Sequence, residues 1–184
     1  MKKSLRNYRL FFHRMGLLFL FVPLAVLIIS IILPDRGFSE KENRVSNFQI
    51  SDLKSLMETC EIKPMVNQIL CHISNTPLEL IKFCQENDIV VEAYSPIAHG
   101  EILHQPEIKA IADKYGVSVP QLCIRYVLQL GAIALPKTAN PSHMENNSKV
   151  DFEITAEDME ILKQFKHIES YGESSGFPVY GGKL

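Results

Sequence analysis

From Val45 onward the chain alternates short β-rich apolar runs with stretches of helical spacing, and this order constrains its fold more than any other feature. Met65-Val66-Asn67-Gln68-Ile69 is one apolar run, residues 89–94 (IVVEAY) are the next, and residues 132–135 a further one. Between the first two, residues 76–86 carry Leu78, Leu80, Ile81, Phe83 and Cys84 at helical spacing. Thr76 is the expected N-cap there, with Pro77 at the first helical position. Residues 106–114 closed by Gly116, and residues 120–129 closed by Gly131, predict two further helices. Residues 155–165 predict a last helix, with Thr155 capping and Asp158 in the box position. Strands separated by helices cannot pair as tight hairpins, so the pattern predicts parallel β/α units.

Polar residues gather at the C-terminal ends of the expected strands: Ser46-Asn47, Gln68, Tyr94-Ser95 and Lys137-Thr138. In a (β/α) barrel that end of the strands holds the active site.

The first 44 residues are of a different kind. Residues 1–14 are basic and aromatic, and residues 15–33 contain no charge at all. A helix of that length rises about 1.5 Å per residue and just crosses a hydrocarbon core of about 30 Å. Pro23 is tolerated in such a span, and no A-x-A-like cleavage site precedes Asp35. The favoured reading is a transmembrane helix over 15–33, with a cleaved signal peptide as its rival, then a polar linker over 34–44 and an α/β body over 45–184: a single-pass membrane protein. Five basic residues precede the span, and Arg36, Lys41 and Arg44 follow it, which places the body outside the cytoplasm.

Charge is uneven. The first 34 residues carry +5, leaving fourteen basic against twenty-one acidic residues in the remainder, a net −7. An acidic body is a poor phosphate-binding surface, so nucleic acid is not an expected partner. Cys60, Cys71, Cys84 and Cys123 form no C-x-x-C pair and read as buried, reduced thiols. Reduced thiols sit badly with a body outside the cytoplasm.

Val45-Ser46-Asn47-Phe48, Lys63-Pro64, Val66-Asn67-Gln68-Ile69, Ala93-Tyr94-Ser95-Pro96, the run Gln121 to Gly131, and Leu135-Pro136-Lys137-Thr138 with Asn140-Pro141 and Asn147 together resemble the aldo-keto reductases, bacterial type. The resemblance covers residues 45–184. It implies the C-terminal half, strands five to eight, of a (β/α)8 TIM barrel, here preceded by one N-terminal hydrophobic helix. It implies NADP(H) as cofactor: Ser46, Asn47 and Gln68 on the nicotinamide carboxamide, Tyr94 stacked on its ring, and Ser95 near the pyrophosphate. Lys137 and Thr138 would bind the adenosine 2′-phosphate, joined by His143 where many members place Arg, and Asn147 the adenine edge. His72 is read as a structural hydrogen-bonder near a strand end. Arg44 for Gly, Leu70 for Glu and Ile73 for Pro depart from the family pattern.

The family's catalytic Asp, Tyr, Lys and His belong to the first four strands and find no counterpart here, so no catalytic residue is assigned. Lys114 and Tyr115 do not replace them, because adjacent residues on a helix do not face each other. The resemblance therefore implies an NADP(H)-dependent carbonyl oxidoreductase truncated to its cofactor-binding half and inactive alone. The alternatives are a membrane-anchored NADP-binding or assembly module without catalysis, and an enzyme that completes its site by dimerisation. Unpaired first and last strands lead us to expect self-association through the strand edges.

Overall fold

The structure is a computed structural model that describes residues 43–168 and 170–176. Four strands, β1 (Asn43–Ser46), β2 (Pro64–Leu70), β3 (Val90–Tyr94) and β4 (Ile133–Leu135), form one sheet in the order β1-β2-β3-β4. Every pairing is parallel. Helix α1 (Ile50–Thr59) joins β1 to β2, and α2 (Leu78–Glu86) joins β2 to β3. A 3-10 segment (Ala98–His104), α3 (Pro106–Lys114) and α4 (Val119–Gln129) lie between β3 and β4; α5 (Pro141–Ser148) and α6 (Ala156–Lys163) follow. The chain is thus an α/β protein with a parallel sheet, as the alternation of patterns predicts.

Register assigns the two faces of the sheet. Asn67, Val91, Ile69, Ala93 and Ala134 share one face and are buried. They join a core with Leu53 of α1, Leu80, Ile81 and Cys84 of α2, and Leu122, Tyr126 and Val127 of α4. The opposite face carries Ser46, Gln68, Glu92 and Ile133 in one row, with Leu70, Tyr94 and Leu135 in the next.

Local chemistry fixes the helix ends. Ser118 and Gln121 form a capping box on α4, with Pro120 in its first turn. Gly131, at φ +82, closes α4 in the left-handed region. A Cβ there would fall 2.6 Å from Gln85 Nε2, which donates to Leu130 O at 2.8 Å.

Several expectations need correction. Helix α2 starts one turn position later than its sequence signals suggest. Pro77 is the N-cap, while Thr76 Oγ1 donates to His72 O and meets the buried Tyr126 hydroxyl at 2.7 Å. A fully buried tyrosine needs such a partner, and Thr76 is committed to it. Helix α1 is absent from the sequence analysis, although Ile50, Leu53 and Met57 stand at helical spacing; Leu53 is fully buried and the other two pack part-buried against the core. Asn43 and Arg44, read as the end of a linker, belong to β1. Lys114 and Tyr115 do converge: Lys114 Nζ donates to Asp158 Oδ2 at 2.7 Å, and Tyr115 OH donates to the same oxygen. Tyr115 lies just beyond α3, so the helical rule does not govern it. Asp158, 4% exposed, turns its carboxylate to these partners while its N–H donates to the Thr155 hydroxyl.

The single-pass membrane placement is corrected as well. Among the described residues no helix is long and apolar enough to cross a membrane. The basic segment 1–14 and the apolar run 15–33 that prompted that placement lie outside the described residues. All four cysteines are free; Cys71, Cys84 and Cys123 are buried as expected, whereas Cys60, at the end of α1, is only half-buried, and burial pushes the Cys71 thiol up to about 12.

The last described segment is tied down by histidines. His72 is fully buried, with Nε2 3.0 Å from Tyr171 OH. Ser74 accepts the Ile168 N–H at 3.1 Å, and His167 Nδ1 lies 3.0 Å from Ser74 O. Burial, then the nearby His167 and His99, lowers the His72 pKa to about 3, so the ring is neutral in the fold. The unfolded chain takes up that proton from about 6.5 downward, so stability is complete above that value and is lost as pH falls towards 3. We expect the urea midpoint to drop between pH 6.5 and 4.5, and His72→Gln, which cannot titrate, to flatten the slope. Asp158 is held below the usual carboxylate range by Lys114 and then by Tyr115. Its contribution is present above about pH 3.9 and is lost below it. Asp158→Asn should lower Tm by about 2–4 °C at neutral pH, and by less near pH 3, as read by calorimetry.

Candidate functional site

Ser46 ends β1 and Asn47 turns the chain away from it at φ +57, a left-handed conformation that Asn tolerates better than most residues. Asn47 N donates to Gln68 O at 2.9 Å, and Ser46 Oγ donates to the same carbonyl at 3.2 Å. Both residues are therefore pinned to β2. From the end of β3, Tyr94 OH reaches across and donates to Asn47 Oδ1 at 2.8 Å. Ser95 follows at φ +51, its hydroxyl 3.3 Å from His99 Nε2.

Beneath this row lies an acid that the sequence reading does not single out. Glu92 of β3 is 7% exposed, and its Oε2 accepts from Gln68 Nε2 at 3.2 Å. Arg44 Nη1 sits 3.6 Å from its other oxygen. Arg44 departs from the small residue expected at that strand start, and the ion pair accounts for its charge. The signal in the sequence was a carboxylate in the middle of the apolar run IVVEAY.

Lys137, Thr138, His143 and Asn147 line one cleft of about 370 Å³, with Ile97, Leu103, Pro120 and Asn146. Thr138 Oγ1 accepts from Asn140 N at 3.1 Å, and Asn140 Oδ1 caps α5 by accepting from Ser142 N at 2.9 Å. The cleft thus combines an exposed lysine, a hydroxyl, an exposed histidine and the start of a helix, whose free N–H groups favour negative charge. Asn146, also missed, donates to Ser118 Oγ at 2.9 Å and ties α5 to the start of α4. His143, Asn146 and Asn147 stand at i, i+3 and i+4, the spacing that shares a helix face and that could have identified it.

The nine expected site residues therefore fall into two groups. Ser46, Asn47, Gln68, Tyr94 and Ser95 form a planar-amide, hydroxyl and aromatic row along the ends of β1 to β3. Lys137, Thr138, His143 and Asn147 form a cationic cleft after β4. The chain between them is short, since Ile97 of the cleft wall is only three residues beyond Tyr94. Another groove, of about 460 Å³, runs along α1 past Phe48, Asp52 and Leu56. Among the described residues no cluster of three His, Cys, Asp or Glu side chains is placed to hold a metal ion.

A family model described as the aldo/keto reductase family matches residues 41–167. An uncharacterised oxidoreductase of Bacillus subtilis, YtbE, is 45% identical over 116 residues, covering 62% of this chain and 41% of that protein. The glyoxal reductase of Bacillus subtilis is 37% identical over 129 residues, 70% of this chain and 47% of its own. A silkworm (Bombyx mori) aldo-keto reductase solved in complex with NADP superposes with a TM-score of 0.63 at 31% identity. That comparison covers 73% of this chain and 48% of the silkworm chain. A further aldo-keto reductase, complexed with NADPH, gives 0.62 at 34% identity over 66% of this chain and 41% of its own. The chain spans less than half the length of each of these relatives. The matched stretch contains every strand and every α-helix described above, and the chain belongs to the aldo/keto reductase family.

Proposed function

We propose that this chain is the NADP(H)-binding portion of an aldo/keto reductase, equivalent to strands five to eight of an eight-stranded β/α barrel. The observation that carries this reading is the joint placement of an amide-lined row and a cationic cleft at the ends of the same four parallel strands.

The donor set suits the cofactor at both ends. Asn47 and Gln68 bring amide groups to a carboxamide, and Ser46 adds a hydroxyl beside them. Tyr94 offers a flat ring for stacking, and Ser95 lies where the chain turns towards the cleft. Lys137, Thr138 and His143 meet the 2′-phosphate with charge, hydroxyl and ring nitrogen, and Asn147 has donor and acceptor for the adenine edge. When bound, NADPH supplies a hydride for a carbonyl carbon.

Reduction of a carbonyl also needs a proton donor at its oxygen. Each of the four described tyrosines holds another partner: Tyr94 on Asn47, Tyr115 on Asp158, Tyr126 on Thr76 and Tyr171 on His72. The cluster of Lys114, Tyr115 and Asp158 joins α3 to α6 and shares no residue with the strand-end row or the cleft. On this reading the described residues bind the cofactor and do not by themselves supply the proton that turnover of a carbonyl compound needs. Loss of a general acid alone removes about 10²–10⁴ in rate.

Fluorescence titration of the full chain should show NADPH bound at least tenfold more tightly than NADH, with the difference shrinking as salt is raised. Lys137→Ala should weaken NADPH by about tenfold or more and leave NADH nearly unchanged, since a charge-assisted contact to phosphate is lost. Equal binding of the two nucleotides by the unaltered chain contradicts the reading. A steady-state assay with glyoxal and NADPH should show no turnover above the uncatalysed rate.

A further inference from the structure

Gln68 is an amide that can present either a carbonyl oxygen or an NH₂ group to a ligand, and its rotation decides which. In this sheet one neighbour removes the choice. Glu92 stands directly across from Gln68 in the β2–β3 register. An ionised carboxylate only accepts hydrogen bonds, so the end of Gln68 facing Glu92 must be Nε2, at 3.2 Å. Oε1 is then the amide's remaining acceptor. Arg44, on the same face of β1, approaches the other carboxylate oxygen at 3.6 Å. The carboxylate is held from both sides.

Asn47 is set in the complementary sense. Its Oδ1 accepts from Tyr94 OH, which leaves Nδ2 as the donor end. An acceptor on Gln68 and a donor on Asn47 are what the NH₂ and C=O of a carboxamide require. Burying a carboxylate in a strand is unfavourable unless it is paired, and packing alone gives no reason for it. Val90 and Tyr94 occupy the flanking positions of the same face of β3, where an apolar residue would serve.

We propose that Glu92, braced by Arg44, is a positioning residue that fixes the Gln68 amide with its oxygen towards the carboxamide of a nicotinamide ring. This rests on the NADP(H) reading above and adds a residue to it. Glu92 touches Gln68 rather than the ligand, so its effect is confined to the nicotinamide end.

The test uses the full chain and two ligands: NADPH, and adenosine 2′,5′-bisphosphate, which has the 2′-phosphate and adenine but no nicotinamide. Glu92→Met keeps the volume and removes the acceptor. It should weaken NADPH about five- to tenfold and leave the bisphosphate within twofold of the unaltered chain. Glu92→Gln keeps an oxygen that can accept from Gln68, and should recover most of the lost affinity. Equal weakening of both ligands by Glu92→Met would mean a structural role and overturns the proposal. So does unchanged NADPH binding in Glu92→Met when the unaltered chain binds both ligands, and that result leaves the cofactor reading intact. Failure of the unaltered chain to bind either ligand overturns the cofactor reading and this proposal together.

Discussion

Parallel pairing of β1 with β2, Ser46 beside Gln68, is the constraint on which the rest of the site depends. One carbonyl, Gln68 O, takes both the Asn47 N–H and the Ser46 hydroxyl, so the turn leaving β1 is anchored to the neighbouring strand. A slip of one residue would exchange the two faces of β1 and send Ser46 towards the helices. The same register brings Glu92 opposite Gln68 and Tyr94 opposite Leu70. The hydrogen bond from Tyr94 to Asn47 then closes the row across three strands.

The helices hold that register from one side. Leu53, Ile81, Cys84, Leu122 and Val127 pack on the face carrying Asn67, Ile69, Val91 and Ala93. This core stabilises the fold because apolar burial is favourable, and because most of the polar groups carried inside find partners. Tyr126 has Thr76, His72 has Tyr171, and Asp158 has Lys114 and Tyr115. Asn67 is only half satisfied: its Nδ2 donates to Phe48 O at 2.9 Å, while Oδ1 is buried without a partner. That bond draws the start of α1 onto β2, next to the turn at Asn47.

Much of this was legible in the sequence where the signal is local. The alternation of apolar runs with helical spacing indicates parallel strands, and polar residues at the ends of those runs single out the candidate site. The cap at Thr155 and the closing glycines Gly116 and Gly131 bound the helices, whereas the Ser118 cap two residues before Pro120 emerges only in the structure. What was not legible depends on partners far apart in the chain. Thr76 resembles a cap until Tyr126, fifty residues on, claims its hydroxyl. Lys114 and Tyr115 look unrelated until α6 brings Asp158 to both. Arg44 departs from the family pattern and Glu92 sits unremarked in an apolar run, and only the sheet makes them a pair. Helix α1, by contrast, carries a local signal, since Ile50, Leu53 and Met57 stand at helical spacing on the face that meets the core.

The family supplies the assignment of cofactor, and the geometry of the strand ends supports the contacts proposed for it. Ser46, Asn47, Gln68 and Tyr94 are joined to one another by hydrogen bonds, and the cleft after β4 is walled by Ile97 and Leu103 of the segment that follows Ser95. Such an arrangement lowers the cost of ordering side chains when a ligand enters. Amide hydrogen exchange of the full chain with and without NADPH tests the central claim most directly. Expected is slower exchange at residues 46–49, 94–97 and 137–147, with α1 and α6 unchanged. Protection confined to the groove along α1, or no change at the strand ends under saturating NADPH, would contradict it.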